Sequence, residues 1–142
     1  MVGGLQLHIF RKGAGRQSEM IRNIFYIAAG GAAGGVCRYL LSLWINSQFK
    51  TLFPWSTFVV NFLACFLVGM FYGIASRNEN FSSSLVLLLT TGFCGGFSTF
   101  SAFAYENMQL IRSGAAVYAF IYSTASILIG VAAVFLGFQI IK

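Results

Sequence analysis

The sequence predicts an all-α membrane protein with four transmembrane helices, and three observations support this fold class. Of its 142 residues, 58% are apolar and 8% are charged, and the mean hydropathy is +0.79, so a water-soluble domain of this size could not bury its apolar surface. Four stretches with few charges are long enough to cross a hydrocarbon core of about 30 Å as helices. A transmembrane barrel would alternate in polarity over segments of about ten residues, and the run FLACFLVGMF (62–71) does not. The predicted spans are residues 24–45, 57–76, 85–111 and 116–140.

The segment 1–19 is predicted to lie outside the membrane domain. It carries Arg11, Lys12, Arg16 and Glu19 and lacks the apolar core of a signal peptide, so we expect a disordered or interfacial extension. The next residue, Met20, begins a segment that reads like a natural start of the protein. We therefore predict that residues 1–19 are dispensable. The four spans then form one transmembrane domain over residues 20–142.

Basic residues are spread almost evenly over the two sides of the predicted bundle. Without the extension, those on the side of the termini are Arg22, Arg77 and Lys142, and those on the opposite side are Lys50 and Arg112. An excess of Lys and Arg in cytoplasmic loops sets orientation, so three against two is the near balance that a protein inserting both ways needs. The three basic residues of the extension change the count to six against two and favour cytoplasmic termini.

Four helices are too few to enclose a hydrated path, so the sequence favours a dimer. Glycines at four-residue spacing in GGAAGG, Gly30 with Gly34 and Gly31 with Gly35, favour close helix packing. These glycines follow no strand and precede no Lys-Ser/Thr pair, which argues against a nucleotide-binding loop.

Two other classes of function are disfavoured. The net charge of +6 is scattered along the membrane boundaries and comes with no aromatic and basic surface for nucleic acid. No grouping of nucleophile, base and metal ligand indicates an enzyme. Cys37, Cys65 and Cys94 lie in three different predicted spans, far apart in the sequence, which is not metal-ligand spacing.

Polar residues inside the first two spans locate candidate functional positions, since such residues are costly in a bilayer. Arg38 is the only charge in the first span. It either extends to the interface or attracts an anion at a pore mouth. Asn61 lies one turn into the second span and either bonds across helices or lines a pathway.

The third span contains the most informative pattern, TTGFCGGFSTFSAF (90–103). Its glycines precede a hydroxyl cluster of Ser98, Thr99 and Ser101, which predicts a break in the helix. A break in the membrane is tolerated only where water, protein or an ion satisfies the freed backbone groups, and transporters use such breaks to bind ions. The alternative is an unbroken helix whose hydroxyls bond back to their own backbone.

Three further positions follow the predicted break. Phe100 and Phe103 lie on one helix face, where aromatic rings usually serve packing; beside the predicted break, their positive ring edges would suit a small anion. Glu106 is the only acid inside a span and is expected in a wet vestibule. In the fourth span, Tyr122 and Ser126 place two hydroxyls on one stripe, which either passes an anion along or bonds a neighbouring helix.

These motifs resemble the CrcB/Fluc family of fluoride channels. The resemblance rests on TTGFCGGFSTFSAF (90–103) with Glu106, on GGAAGGVCRYLLS (30–42) and on STFVVN (56–61), and it covers nearly all of residues 20–142. It implies a dual-topology, antiparallel homodimer with two fluoride pathways. It also implies a structural sodium ion, Na+, at the centre of the dimer, held by carbonyls at the helix break.

Residue roles follow from the resemblance position by position. The sodium-binding carbonyls would be those of Gly95 and Ser98. The residues lining the fluoride pathway would be Asn61, Phe100, Phe103, Tyr122 and Ser126. The vestibule and accessory residues would be Arg38, Glu106, Thr99 and Ser101. The chain departs from the family pattern at Ser98, where threonine is usual, and at Gly130, where a third hydroxyl can occur.

The predicted function is passive export of fluoride across a bacterial inner membrane by a multi-pass protein, which lowers the cytoplasmic fluoride concentration. Two alternatives remain open at this stage. One is a small four-helix, proton-coupled multidrug exporter, which would need an acid such as Glu106. The other is a non-conducting membrane scaffold subunit.

Overall fold

The computed structural model of the protein describes residues 3–78 and 81–141, and all regular secondary structure within them is helical. The elements are α1 (Gly3–Gln48), α2 (Trp55–Arg77), α3 (Ser83–Leu87), a π-helical segment (Leu88–Cys94), α4 (Gly95–Phe97), α5 (Phe100–Arg112) and α6 (Ala116–Ile140). The described residues contain four helical stretches that are long and apolar enough to cross a membrane, Arg16–Gln48, Trp55–Arg77, Ser83–Arg112 and Ala116–Ile140. The predicted all-α fold with four membrane-spanning helices is confirmed.

The first helix is much longer than the span predicted for it. α1 contains 46 residues, whereas the prediction covered residues 24–45. Hydropathy detects the part of a helix that suits lipid, so polar turns that continue the same helix escape it. The helical backbone includes residues 3–19, and Met1 and Val2 lie outside the described residues. The interfacial location and the dispensability of residues 1–19 stay predictions.

The connection between α5 and α6 is short because α5 ends in a Schellman motif. Gly114 has a φ of +81°, a left-handed conformation that favours glycine. Its N–H donates to the Ile111 carbonyl at 3.1 Å, and the Ala115 N–H donates to the Leu110 carbonyl at 2.8 Å. The motif therefore turns the chain back at once, and α6 packs against α5.

Close contact between α1 and the third span depends on glycines. A Cβ atom at Gly30 would lie 2.8 Å from the Phe93 nitrogen, and one at Gly34 would lie 2.8 Å from the Phe97 nitrogen. Side chains at either position would thus force the two backbones apart. The close packing predicted for Gly30 and Gly34 is confirmed, and it lies within one chain. Gly35, in contrast, has open space around its Cα atom.

The contact between α2 and α6 is equally close. A Cβ atom at Gly69 would lie 3.0 Å from the Phe138 nitrogen, and one at Gly137 would lie 2.9 Å from the Met70 nitrogen. Two small apolar clusters complete the interior. One contains Val60, Ala64 and Phe97, and the other contains Leu110, Ala119 and Tyr122. The site lies between these clusters, where α2, α5 and α6 meet.

Large apolar side chains cover the outside of the bundle. Phe25, Val117 and Phe120 are each more than 70% exposed, at 72%, 71% and 73%. A soluble monomer rarely exposes contiguous apolar patches of this kind. The outer surface therefore suits lipid or another protein rather than water.

Candidate functional site

The backbone between α4 and α5 is extended at two residues and is held by a side chain of α2. Ser98 has φ −75° and ψ 161°, and Thr99 has φ −152° and ψ 115°. The Asn61 side chain bonds both backbone groups of Thr99: its Oδ1 accepts from the Thr99 N–H at 2.8 Å, and its Nδ2 donates to the Thr99 carbonyl at 3.2 Å. Since backbone groups inside a membrane need partners, Asn61 supplies what the helix itself does not.

Thr99 also begins the next helix. Its Oγ1 accepts from the Ala102 N–H at 3.2 Å, which is the N-cap of α5. The same hydroxyl lies 3.2 Å from the Ser101 hydroxyl. The two accessory residues that the resemblance named, Thr99 and Ser101, are therefore neighbours at the start of α5.

A cavity of about 270 Å³ opens beside this extended backbone. Its lining residues come from α2, α5, α6 and the backbone between α4 and α5, and they are Asn61, Cys65, Ser98, Thr99, Phe100, Phe103, Ser126 and Ile127. Six of these were named from the sequence as site residues. The structure thus brings together positions from three membrane-spanning stretches that are distant from one another in the chain.

The two predicted phenylalanines differ in their surroundings. The rings of Phe100 and Phe103 lie 5.7 Å apart with an interplanar angle of 40°. Phe100 is 79% exposed, whereas Phe103 is half-buried and packs 5.0 Å from the Tyr122 ring. Phe103 therefore belongs to the interior of the bundle, and Phe100 faces the outside of the bundle.

Glu106 connects three helices through its carboxylate. Oε1 accepts from the Thr57 hydroxyl of α2 at 2.6 Å, and Oε2 accepts from the Tyr122 hydroxyl of α6 at 2.8 Å. Each carboxylate oxygen of Glu106 therefore accepts a hydrogen bond from a different helix. Glu106 also lines a second, open cavity of about 590 Å³ at the end of α5. The vestibule predicted from the sequence at Glu106 stays a prediction.

The hydroxyls of Tyr122 and Ser126, which share one stripe of α6, differ in their hydrogen bonding. Tyr122 is fully buried and donates to Glu106. The Oγ of Ser126 is buried and has no hydrogen-bond partner among the described residues, although a buried polar atom normally has one. One turn further on, a Cβ atom at Gly130 would lie 3.5 Å from the Cys65 Sγ. The thiol therefore lies beside the position that lacks a third hydroxyl.

The carbonyl of Gly95 fits a role in cation binding. The N–H that would close the next helical turn on this carbonyl is that of Thr99, and it donates to Asn61 instead. Gly95 is exposed and Ser98 is half-buried. Carbonyls released where a membrane helix unwinds are typical ligands of Na+. Among the described residues, no group of three or more His, Cys, Asp or Glu side chains is placed to hold a metal.

Arg38 is the predicted site residue that lies apart from the others. It is half-buried on α1, and the residues that line the cavity of about 270 Å³ do not come from α1. Its helix contacts the π-helical segment and α4 through Gly34, one turn earlier. Arg38 therefore lies one turn after the contact that Gly34 makes with the third span, on the same face of α1.

Several polar contacts of the site were missed from the sequence. Thr57 lies one turn before Asn61 on the same face of α2, and this i, i+4 spacing is the signal that points to it. Ser123 donates to Asn107 at 2.8 Å, and Asn107 Nδ2 donates to the Phe103 carbonyl at 2.9 Å. These groups continue the hydrogen bonding between α5 and α6 beyond Glu106.

The fold and the site together define a multi-pass membrane protein with a cavity between its helices that phenylalanine rings and a few polar side chains line. Residues 25–138 match the family model described as CrcB-like protein, Camphor Resistance (CrcB). The match covers most of the chain, and the chain belongs to this family.

Relatives agree with the family match. A protein of Flavobacterium psychrophilum named fluoride-specific ion channel FluC is 44% identical over 122 residues, which cover 86% of this chain and 98% of that protein. Proteins of the same name match from Phocaeicola vulgatus, with 44% identity over 82% of this chain and 96% of the relative, and from Chlorobaculum tepidum, with 43% identity over 87% and 97%. These names describe ion channels rather than enzymes.

Proposed function

We propose that this chain is a fluoride-specific ion channel that lets fluoride leave the cytoplasm down its electrochemical gradient and so lowers the cytoplasmic concentration. In a bacterium it would lie in the inner membrane. The observation that carries the proposal is the buried, unpartnered Ser126 hydroxyl beside a cavity that Ser126 and two phenylalanine rings line. A free hydroxyl donor beside positive ring edges suits a small anion. The names of the relatives support fluoride as that anion.

Several weak donors follow one another along the proposed route. Asn61 Nδ2 has a second hydrogen beyond the one donated to Thr99. Phe100 and Phe103 offer ring edges, and Ser126 offers its hydroxyl. The Tyr122 hydroxyl donates to Glu106 in this structure, so fluoride would have to replace the carboxylate as its acceptor. Binding at many weak sites lets an ion both enter and leave.

A partner chain would complete this route. Phe100 lines the cavity and is 79% exposed, so a single protomer leaves one side of the path uncovered. We therefore assign the conducting unit to an antiparallel, dual-topology homodimer with two pathways. The near balance of basic residues on the two sides, counted without residues 1–19, supports insertion in both directions.

A structural sodium ion would lie at the centre of this dimer. The ligands would be the carbonyls of Gly95 and Ser98 from both protomers, and the ion would supply positive charge to carbonyls that have left helical bonding. Asn61 would keep the Gly95 carbonyl available, because it accepts the hydrogen bond that the Thr99 N–H would otherwise donate to Gly95.

Efflux from liposomes tests the proposal. We expect purified protein to release trapped fluoride, measured with a fluoride electrode, far faster than protein-free vesicles do. Chloride efflux from matched vesicles should stay near the protein-free rate. Fluoride efflux at the protein-free rate would refute the channel and would favour the scaffold subunit. Equal rates for the two anions would refute selectivity only.

The proton-coupled exporter is the second candidate, because Glu106 lines an open cavity and such exporters need an accessible acid. It predicts uptake of an organic cation driven by a pH gradient in the same vesicles. Uptake without fluoride efflux would favour this candidate over the channel.

A further inference from the structure

The cavity at the end of α5 is lined by two residues of opposite charge, Glu106 and Arg112. Its volume is about 590 Å³, and its polar lining residues include Glu106, Gln109, Arg112 and Ser113. Arg112 is the last residue of α5 and is exposed. One acid and one base therefore share the space.

The acid of this cavity is already engaged by hydroxyls. Each carboxylate oxygen of Glu106 accepts a hydrogen bond, one from Thr57 and one from Tyr122. The other acids of the chain are Glu19 and Glu79. Glu19 lies near the opposite end of the bundle, and Glu79 lies outside the described residues. Within the described residues, Arg112 forms no salt bridge, so its guanidinium is free to act on an ion in the cavity.

The cavity lies next to the pathway proposed above. Glu106 follows Phe103 by one turn of α5, and the Tyr122 ring lies 5.0 Å from the Phe103 ring. Phe103 lines the cavity beside the extended backbone and Glu106 lines the cavity at the end of α5, so lining residues of the two cavities lie one turn apart along α5. An anion that approaches the pathway from this end meets Arg112 first and Glu106 next.

We propose that Arg112 attracts anions into this cavity and offsets the repulsion that Glu106 exerts on them. The inference rests on the proposed function, since it concerns the entry of fluoride. A cationic side chain at the mouth of a cleft raises the local concentration of anions and their rate of entry. Its effect should fade with salt, because the Debye length falls from about 30 Å at 0.01 M to about 3 Å at 1 M ionic strength.

Arg112 could instead act only on the stability of α5, and control variants distinguish this role from attraction of anions. A basic residue in the last turn of a helix also stabilises the helix dipole, and Arg77 has this position at the end of α2. Arg77→Gln therefore removes the same charge from the same type of helix end, away from the cavity. Lys50→Gln removes a charge on the same side of the bundle from a residue that does not line the cavity.

The experiment measures fluoride efflux from liposomes at low and high ionic strength, with the salt set by impermeant ions. We expect Arg112→Gln to lower the low-salt rate by about threefold to tenfold and to match wild type at high salt. Arg112→Lys should retain most of the rate, because it retains the charge. Arg77→Gln and Lys50→Gln should stay close to wild type at both salt concentrations. Equal protein content and equal melting temperature are required of each sample.

The possible results separate this inference from the function on which it rests. Wild-type flux at the protein-free rate would overturn both. Wild-type flux that Arg112→Gln leaves unchanged, or lowers by the same factor at both salt concentrations, would overturn the inference alone. If Arg112→Gln does not fold, the wild type still decides, since a wild-type rate that does not fall with salt contradicts attraction by Arg112.

Discussion

The contact of α1 with the third span and the space between α2, α5 and α6 are built from opposite kinds of residue. In the first region, Gly30 and Gly34 let two backbones touch, with no room for even a Cβ atom. In the second, side chains such as Asn61 and Glu106 bridge the helices through hydrogen bonds. We call these regions the glycine contact and the polar region.

The difference teaches how a thin membrane protein combines rigidity with a cavity. Backbone contact fixes the position of α4 against α1, because a helix cannot shift without a clash. Side-chain bridges instead keep helices apart and leave space, here about 270 Å³ beside Ser98 and Thr99. The glycine contact therefore holds α4 against α1. On the other side, Asn61 of the polar region bonds the backbone that follows α4.

The largest effect is expected from a methyl group in the glycine contact. Gly34→Ala places a Cβ atom 2.8 Å from the Phe97 nitrogen and should destabilise the fold by about 3 kcal/mol. Gly35→Ala is the matched control, since nothing lies within 4 Å of its Cβ position. The melting temperature of each variant is measured by heating the protein in detergent and recording how much still elutes in its size-exclusion peak. Equal melting temperatures would show that the glycine contact is not rigid.

The next effect concerns the bond that joins the two regions. Asn61→Ala leaves the Thr99 N–H and carbonyl without their partner, which should cost about 2 kcal/mol and lower fluoride efflux. Asn61→Asp retains an acceptor for the N–H and loses the donor, so we expect an intermediate melting temperature. Asn46→Ala, at an exposed position, serves as the control. If the Asp and Ala variants melt together, the hydrogen bond from the Thr99 N–H to residue 61 contributes nothing.

A smaller effect should appear in transport alone. Phe100→Ile removes the ring edge from the exposed wall of the cavity and should lower fluoride efflux about fivefold, since ring-edge interactions amount to about 1 kcal/mol. Phe120→Ile makes the same change at a residue of α6 that is 73% exposed and does not line the cavity. Its efflux should equal that of wild type. Equal efflux from both variants would exclude the Phe100 ring from the path.

The smallest effect is expected at the far end of the polar region. At Gly130 a Cβ atom would make an ordinary contact with the Cys65 Sγ at 3.5 Å. Gly130→Ser should therefore change the free energy of unfolding by less than about 0.5 kcal/mol and leave fluoride efflux within a factor of about two. A large loss of melting temperature would show that this end is packed like the glycine contact.

The sequence predicted many of the residues that form the site, but it did not predict the contacts between them. Composition and motif pointed to Asn61, Phe100, Phe103 and Ser126, and the structure places all four around one cavity. The bonds between residues were not predictable, because Asn61 lies 38 residues from Thr99, and Thr57 lies 49 residues from Glu106. Nor did a sequence signal indicate the π-helical segment at Leu88–Cys94.

Hydropathy and motif alone determined the all-α membrane fold, the four spans and the family resemblance. These properties are local, since each span needs only its own length of apolar residues. The last predicted span, residues 116–140, matches the bounds of α6. Only the tertiary structure decided which faces meet. A helix rotates by about 100° per residue, so a small rotation moves a polar side chain from a neighbouring helix to lipid, and the glycine contacts set that rotation.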